Sequence, residues 1–286
     1  MFVHRVRDTD PAIRTDCIRE LGVWVKRFPE MYMKSPTFSH FMRSTNDNDG
    51  PVRLETMKAV MNVFANASSA NLASSFTLRI APRLVQMAAQ DTEIPVRTNA
   101  IAVITQIDKT GMLEDDDDEQ RAQVARLIFD VEPKVRKAAA AFVKGLWEER
   151  AEKLQTEFKA QRDGKKKRAA KIKEADLERH FEWKALAQLL VETSQALEKP
   201  EEDEAGPSKP LELVTASEST PTTRASAAAG ALYPQIELLQ DWYALADYLL
   251  LDHSDSETDA WLLTEEEEDF MLEVLITSIR AEEAVS

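Results

Sequence analysis

The chain has 286 residues, 43% of them apolar and 30% charged, with 7 Gly, a single cysteine and a formal charge of −15. This balance favours helices over sheets and supplies enough apolar side chains for a core. Lone Cys17 excludes an intramolecular disulfide or a thiolate metal cluster and fits a reducing compartment. No stretch has the composition of a membrane span or a signal-peptide core.

Taken in chain order, the first feature is a repeat. Four segments each place an Asp six residues before an Arg: Asp8 and Arg14, Asp47 and Arg53, Asp91 and Arg97, Asp130 and Arg136. An Ile or Val precedes each Arg (Ile13, Val52, Val96, Val135), and a Pro lies two or three residues before it (Pro11, Pro51, Pro95, Pro133). After each Arg, apolar residues recur at helical spacing, as in Met57, Val60 and Phe64 or Ala139, Ala140, Val143 and Trp147. The four Arg are 39, 44 and 39 residues apart, a period in or near that of HEAT repeats with two helices each. The short polar segment is then the turn between paired helices. Pro fits the first helical turn, where its missing N–H costs nothing. Asp can cap free N–H groups there, and Arg can pair with an Asp of its own or the neighbouring repeat.

The first helices of the pairs are expected at Phe28 to Thr45, Leu72 to Gln90 and Gln120 to Asp130. The first repeat has too little sequence before Asp8 for such a helix, and Phe2, Val3 and Val6 want a partner. The expectation is that the parent protein continued N-terminally or that the gene product is truncated, because a solenoid needs polar capping repeats at its ends. The repeats occupy residues 1–150. A charged helical extension is expected over 151–197, holding the basic cluster Lys165, Lys166, Lys167 and Arg168 and an apolar-faced helix from Phe181 to Leu197. Residues 198–231, rich in Pro, Glu, Ser, Thr and Ala, read as a disordered linker. C-terminal helices are expected over 232–286, one from about Leu232 to Leu250 and one from Glu265 to about Glu283 with acids in its first turn. The fold class is all-α, a HEAT-like helical-repeat solenoid with a disordered insertion.

Catalytic chemistry is not legible. His4, His40, His180 and His253 are far apart, with no metal-ligand spacing, and the acidic runs 114–119 and 265–268 lack the alternating pattern of a Ca²⁺ loop. No Gly-rich phosphate loop or nucleophile elbow occurs. The chain reads as no enzyme, with no cofactor, no metal and no catalytic residue. Cys17 falls on an apolar helix face and reads as a core residue. Binding is better supported. The net acidity argues against non-specific DNA binding, yet residues 1–111 carry a slight basic excess and the acidity gathers after Glu114. The cluster at 165–168 has three readings: a nuclear import signal, a phosphate contact or a solvated helix face. No aromatic interleaving supports base stacking there. Trp24 stands ten residues after Arg14, the register of Val63, Ile107 and Leu146, which allows either a core tryptophan or an aromatic anchor in a peptide groove made basic by Lys26 and Arg27.

The runs from Phe2 to Asp8, Ile13-Arg14, Cys17-Ile18, Leu21 to Lys26 and Asp49 to Leu54 resemble the stromalin conservative domain of the HEAT-repeat subunit of cohesin. The dense match covers about residues 1–65, and a looser one in pattern only runs to residue 150. Asp241-Trp242 to Leu251-Asp252 also looks like a later part of that family. The resemblance implies a nuclear, chromatin-associated, non-catalytic scaffold that supports sister chromatid cohesion. Its implied partners are kleisin and other cohesin subunits, regulator peptides with aromatic motifs, and DNA held through phosphates. It also implies that Trp24 receives partner aromatic side chains, with Arg27 and Phe28 beside it. Full family members are several times longer than this chain. A generic HEAT-repeat scaffold of transport or phosphatase type, without a chromatin role, is the alternative. The Phe2 to Lys26 run discriminates against it, because generic repeats need the Asp, Pro, Val-Arg skeleton but not Gly-Val-Trp-Val-Lys.

Overall fold

The structure, a computed structural model, describes residues 2–64, 73–113, 118–164, 174–197, 223–251 and 261–285. Among these residues all regular structure is helical. The chain divides into two compact units, one ending at Leu127 and the other beginning at Ile128.

The first unit holds α1 (Phe2–Arg5), α2 (Pro11–Arg27), α3 (Pro29–Tyr32), α4 (Ser35–Ser44), α5 (Gly50–Phe64), α6 (Ser74–Gln90), α7 (Ile94–Lys109) and α8 (Asp118–Arg126). α2, α5 and α7 are the second helices of successive repeats. They stack directly, α2 on α5 and α5 on α7, while α6 packs on α7 and α8. Each starts where the sequence places it. At α2, Pro11 occupies the first turn and the Asp10 carboxylate accepts the Ala12 N–H at 2.9 Å. The core between the helices is aromatic as well as aliphatic: Phe38 stacks on Phe76 with centroids 4.3 Å apart, and Phe41 and Phe64 flank the same ring.

The Asp–Arg signature is a ladder. Within a repeat, the Arg reaches back to the turn. Arg14 Nη1 donates to the carbonyls of Asp8 and Thr9 at 2.9 and 3.1 Å. Arg53 does the same to Asp47 and Asn48 at 2.9 and 3.2 Å, and Arg136 to Asp130 and Val131 at 2.7 and 3.0 Å. Between repeats, Arg14 clasps Asp47 through two parallel bonds of 2.8 and 2.7 Å, and Arg53 clasps Asp91 at 2.7 and 2.8 Å. Each Asp also accepts the N–H two residues on, from Asp10, Asp49, Glu93 and Glu132 respectively. One Asp thus closes its own turn, and two of the four bind the guanidinium of the repeat before. Arg97 donates from Nε to the Ala88 carbonyl at 2.9 Å. The carboxylate pairing open to each Arg in the sequence is settled for Arg14 and Arg53 as the neighbouring repeat.

The tight stacking of α2 on α5 depends on Gly22. A Cβ built there would sit 2.7 Å from the Ala59 Cβ and 2.9 Å from its Cα. Gly22→Ala is therefore expected to push the two helices apart. The expected loss is about 1–3 kcal/mol, the usual range for overpacking a close-packed site. Urea denaturation checks it, and a variant as stable as wild type would show that the helix pair shifts freely.

The second unit holds α9 (Pro133–Gly164), α10 (Glu174–Gln195), α11 (Arg224–Leu232), α12 (Trp242–Leu249) and α13 (Glu265–Val285). Its core centres on Trp183, Trp261, Phe142 and Phe181, and Trp147 donates its indole N–H to the Glu182 carbonyl at 2.8 Å.

Several expected boundaries move. The border after residue 150 falls inside the continuous helix α9, because no breaker interrupts the charged stretch and Ala151 is still buried. Of the linker expected over 198–231, residues 198–222 lie outside the described residues, but 223–231 do not form a linker. Thr223 caps α11 by accepting the Ser226 N–H at 3.1 Å, and Ala225, Ala227, Ala228 and Ala229 are buried. The single helix expected from 232 to 250 is interrupted. Pro234 follows the end of α11, a short 3-10 turn spans Glu237–Gln240, and Asp241 restarts the chain as the cap of α12. The helix expected from Phe28 to Thr45 is likewise split into α3 and α4, each opened by a proline.

Candidate partner-binding site

Trp24 sits on the last turn of α2 and is half-buried, so it is neither a sealed core residue nor a free surface ring. The backbone changes course just after it. Phe28 donates its N–H to the Trp24 carbonyl at 2.8 Å and leaves helical geometry (φ −136°, ψ 63°), and Pro29 then opens the short helix α3. This turn brings aromatic rings together from three elements. The Phe2 ring of α1 lies 5.1 Å from that of Trp24, and Tyr32 at the end of α3 lies 5.5 Å away on a tilted plane. His40 of α4 meets Phe2 edge-on at 5.9 Å. Burial, followed by repulsion from Arg43 and Arg7, holds the His40 pKa below its ordinary value. Its ring is therefore neutral near neutral pH and packs as an aromatic.

Around this cluster the surface is apolar and mainly basic, with Glu30 the exposed acid beside Met31. Val23, Phe28 and Met31 are exposed, as are Lys26, Arg27 and Lys34. The three residues expected to form the site, Trp24, Arg27 and Phe28, thus share one helix end, with Trp24 as the half-covered floor and Phe28 and Arg27 open to solvent. Phe2, Tyr32 and His40 were not expected there. Their aromatic character was visible in the sequence, but their convergence on Trp24 depends on the helix break at Phe28, which no periodicity marks. The arrangement can receive a flat or apolar side chain against Trp24 and an acidic group at its basic rim.

Lys165, Lys166, Lys167 and Arg168 lie outside the described residues. Among the described residues no group of His, Cys, Asp or Glu is arranged to hold a metal ion. Cys17 is half-buried, and burial pushes its thiol pKa up.

Stacked helix pairs tied by an Asp–Arg ladder define the class: a HEAT-like helical-repeat protein. A family profile described as the stromalin conservative domain matches residues 7–81 of this chain. It is 31% identical over 143 residues to "Cohesin subunit psc3" of Schizosaccharomyces pombe, covering 50% of this chain and 15% of that protein. It is 32% identical over 143 residues to "Cohesin subunit SA-1" of Xenopus laevis, covering 50% of this chain and 11% of that protein. The solved structure of "Cohesin subunit Scc3 from Z. rouxii" superposes on 97% of this chain and 29% of that one, with a TM-score of 0.66 at 20% identity, a likeness of fold. The matched half of the chain therefore covers well under a fifth of these curated relatives' length.

Proposed function

We propose that this chain is a non-catalytic cohesin scaffold of the nucleus, associated with chromatin and supporting sister chromatid cohesion. Its work is association: it joins kleisin and other cohesin subunits, takes regulator peptides with aromatic motifs at Trp24, Arg27 and Phe28, and holds DNA through phosphates. The single observation that supports the reading best is that the stromalin match covers the half-buried Trp24 and the exposed apolar and basic residues around it. The relatives' names supply the cohesin context. DNA contact would fall to dispersed exposed cations such as Arg19, Lys26, Arg27 and Lys58, so it should weaken steeply with salt.

The test is fluorescence-anisotropy titration of a labelled aromatic-motif peptide from a cohesin regulator. Trp24→Ala is expected to weaken binding at least about tenfold, or ~1.4 kcal/mol, while circular dichroism stays that of a helical protein, since the ring is only half-buried. Equal binding by both proteins, or binding by neither, would remove the peptide role and favour the generic scaffold. An unfolded variant would assign Trp24 to the core.

A further inference from the structure

We propose that the outer stripe of α13 docks a basic amphipathic helix of another protein. α13 is held on its other sides. Lys184 of α10 pairs with Glu267 at 2.6 Å, Gln195 of α10 bonds Glu266, Thr223 bonds Glu273, Ser226 of α11 meets Thr277 at 3.1 Å, and the Trp242 indole bonds Glu282. Met271, Val274 and Ser278 are buried toward these partners. The side that remains carries Leu272 and Ile276, one turn apart on the same face, and they are 47% and 48% exposed.

The flanks of this apolar stripe are acidic. Glu265, Glu268, Asp269 and Glu283 are exposed on or beside the same face, with Arg280 as the one exposed cation among them. At 1.5 Å per residue the outer face from Glu265 to Glu283 runs roughly 27 Å, about five helical turns, with the apolar pair in its central part. Large exposed apolar side chains framed by charge are the pattern of a helix-docking surface.

Charge selects the occupant. A second copy of this chain would set acid against acid along the stripe. Nucleic acid and anionic membrane surfaces are repelled for the same reason. A helix with apolar residues at i, i+3, i+4 and i+7 and Lys or Arg along both edges satisfies both the apolar centre and the acidic rim.

The proposal is independent of the Trp24 groove and is tested on the full chain. The probe is a fluorescein-labelled amphipathic helix of roughly 18 residues with Leu on one face and Lys and Arg on the edges, followed by anisotropy. Saturable binding that weakens with added salt is expected. Leu272→Ser/Ile276→Ser and Asp269→Lys/Glu283→Lys should each weaken it at least about tenfold, with an unchanged unfolding midpoint, while Trp24→Ala leaves it intact. The second pair of changes is confined to exposed charges, so it still decides the matter if the first disturbs folding. Equal binding of a Glu-edged helix of the same apolar pattern would overturn the proposal, as would undiminished binding by both double variants or no saturation by about 50 µM. So would a dimer in analytical ultracentrifugation that Leu272→Ser/Ile276→Ser dissolves, which would give the stripe to a second copy.

Discussion

Arg53→Ala is expected to destabilise the first unit by about 3–5 kcal/mol, the range for stranding one member of a buried ion pair. The Arg53 side chain is 11% accessible and that of Asp91 only 4%. Removing the guanidinium leaves the Asp91 carboxylate buried, held by the Glu93 N–H but without its cation. It also strips the carbonyls of Asp47 and Asn48 of their donor. One side chain thus serves two repeats, and its loss loosens the turn of one and the packing of the next. Arg53→Lys should recover little, because an ammonium cannot hold a carboxylate by two parallel bonds while reaching two carbonyls behind it.

The rung before it is a graded control. Arg14 and Asp47 are 17% and 14% accessible, so water compensates more of the loss, and Arg14→Ala should cost less, about 1.5–3 kcal/mol. Urea denaturation with hydrogen exchange read on α5 and α7 checks both. Equal losses at the two rungs would show that burial does not set the cost. pH adds a sign. Burial would raise the Asp47 pKa, but the Arg14 guanidinium and the Asp49 N–H outweigh it and hold the carboxylate below its ordinary value. Asp47 therefore contributes stability that is present above the unfolded value of about 3.9. That contribution is lost as pH falls through the lower folded value. Arg14→Ala should accordingly flatten the acid limb of the stability profile.

What was legible in the sequence follows from what is local. The Asp, Pro and Val-Arg skeleton recurs because every Asp accepts the N–H two residues on, and Arg14, Arg53 and Arg136 each reach the turn carbonyls five and six residues back, and a one-dimensional pattern records that. Which Asp each Arg clasps was not recorded, since Asp47 and Asp91 lie 33 and 38 residues from their partners. Trp24 shows the same limit. Of its register positions in later repeats, Leu146 is half-buried, but Val63 and Ile107 are fully buried. Trp24 is not, because its larger ring leans on Phe2 and Tyr32 beyond a helix break. The stretch at 223–231 was misread for another reason. A run of Ala, Ser and Gly has no large apolar residues to mark a face, yet Ala has high helix propensity, and four of these small residues fit flush into the second unit's core.

The second large effect lies in that unit and was invisible in the sequence, because the partners are 83 residues apart. Lys184 and Glu267 are 9% and 8% accessible and meet at 2.6 Å. Glu267 has two duties. Its carboxylate accepts the Thr264 N–H at 2.7 Å while the Thr264 hydroxyl accepts the Glu267 N–H at 3.3 Å, a capping box that starts α13. Lys184→Met removes only the cation. It leaves a buried carboxylate with one donor from the cap, and about 3–5 kcal/mol should be lost. Adding Glu267→Gln neutralises the stranded charge but keeps an oxygen for the Thr264 N–H, so the double variant should regain most of that loss. Glu267→Ala forfeits both the pair and the carboxylate half of the capping box, strands the Lys184 cation, and should be the worst of the three by about 1 kcal/mol. Denaturation with hydrogen exchange read on α13 separates these cases. If the Lys184→Met/Glu267→Gln double is no more stable than Lys184→Met, the penalty comes from lost packing of the lysine stem and not from the unpaired charge.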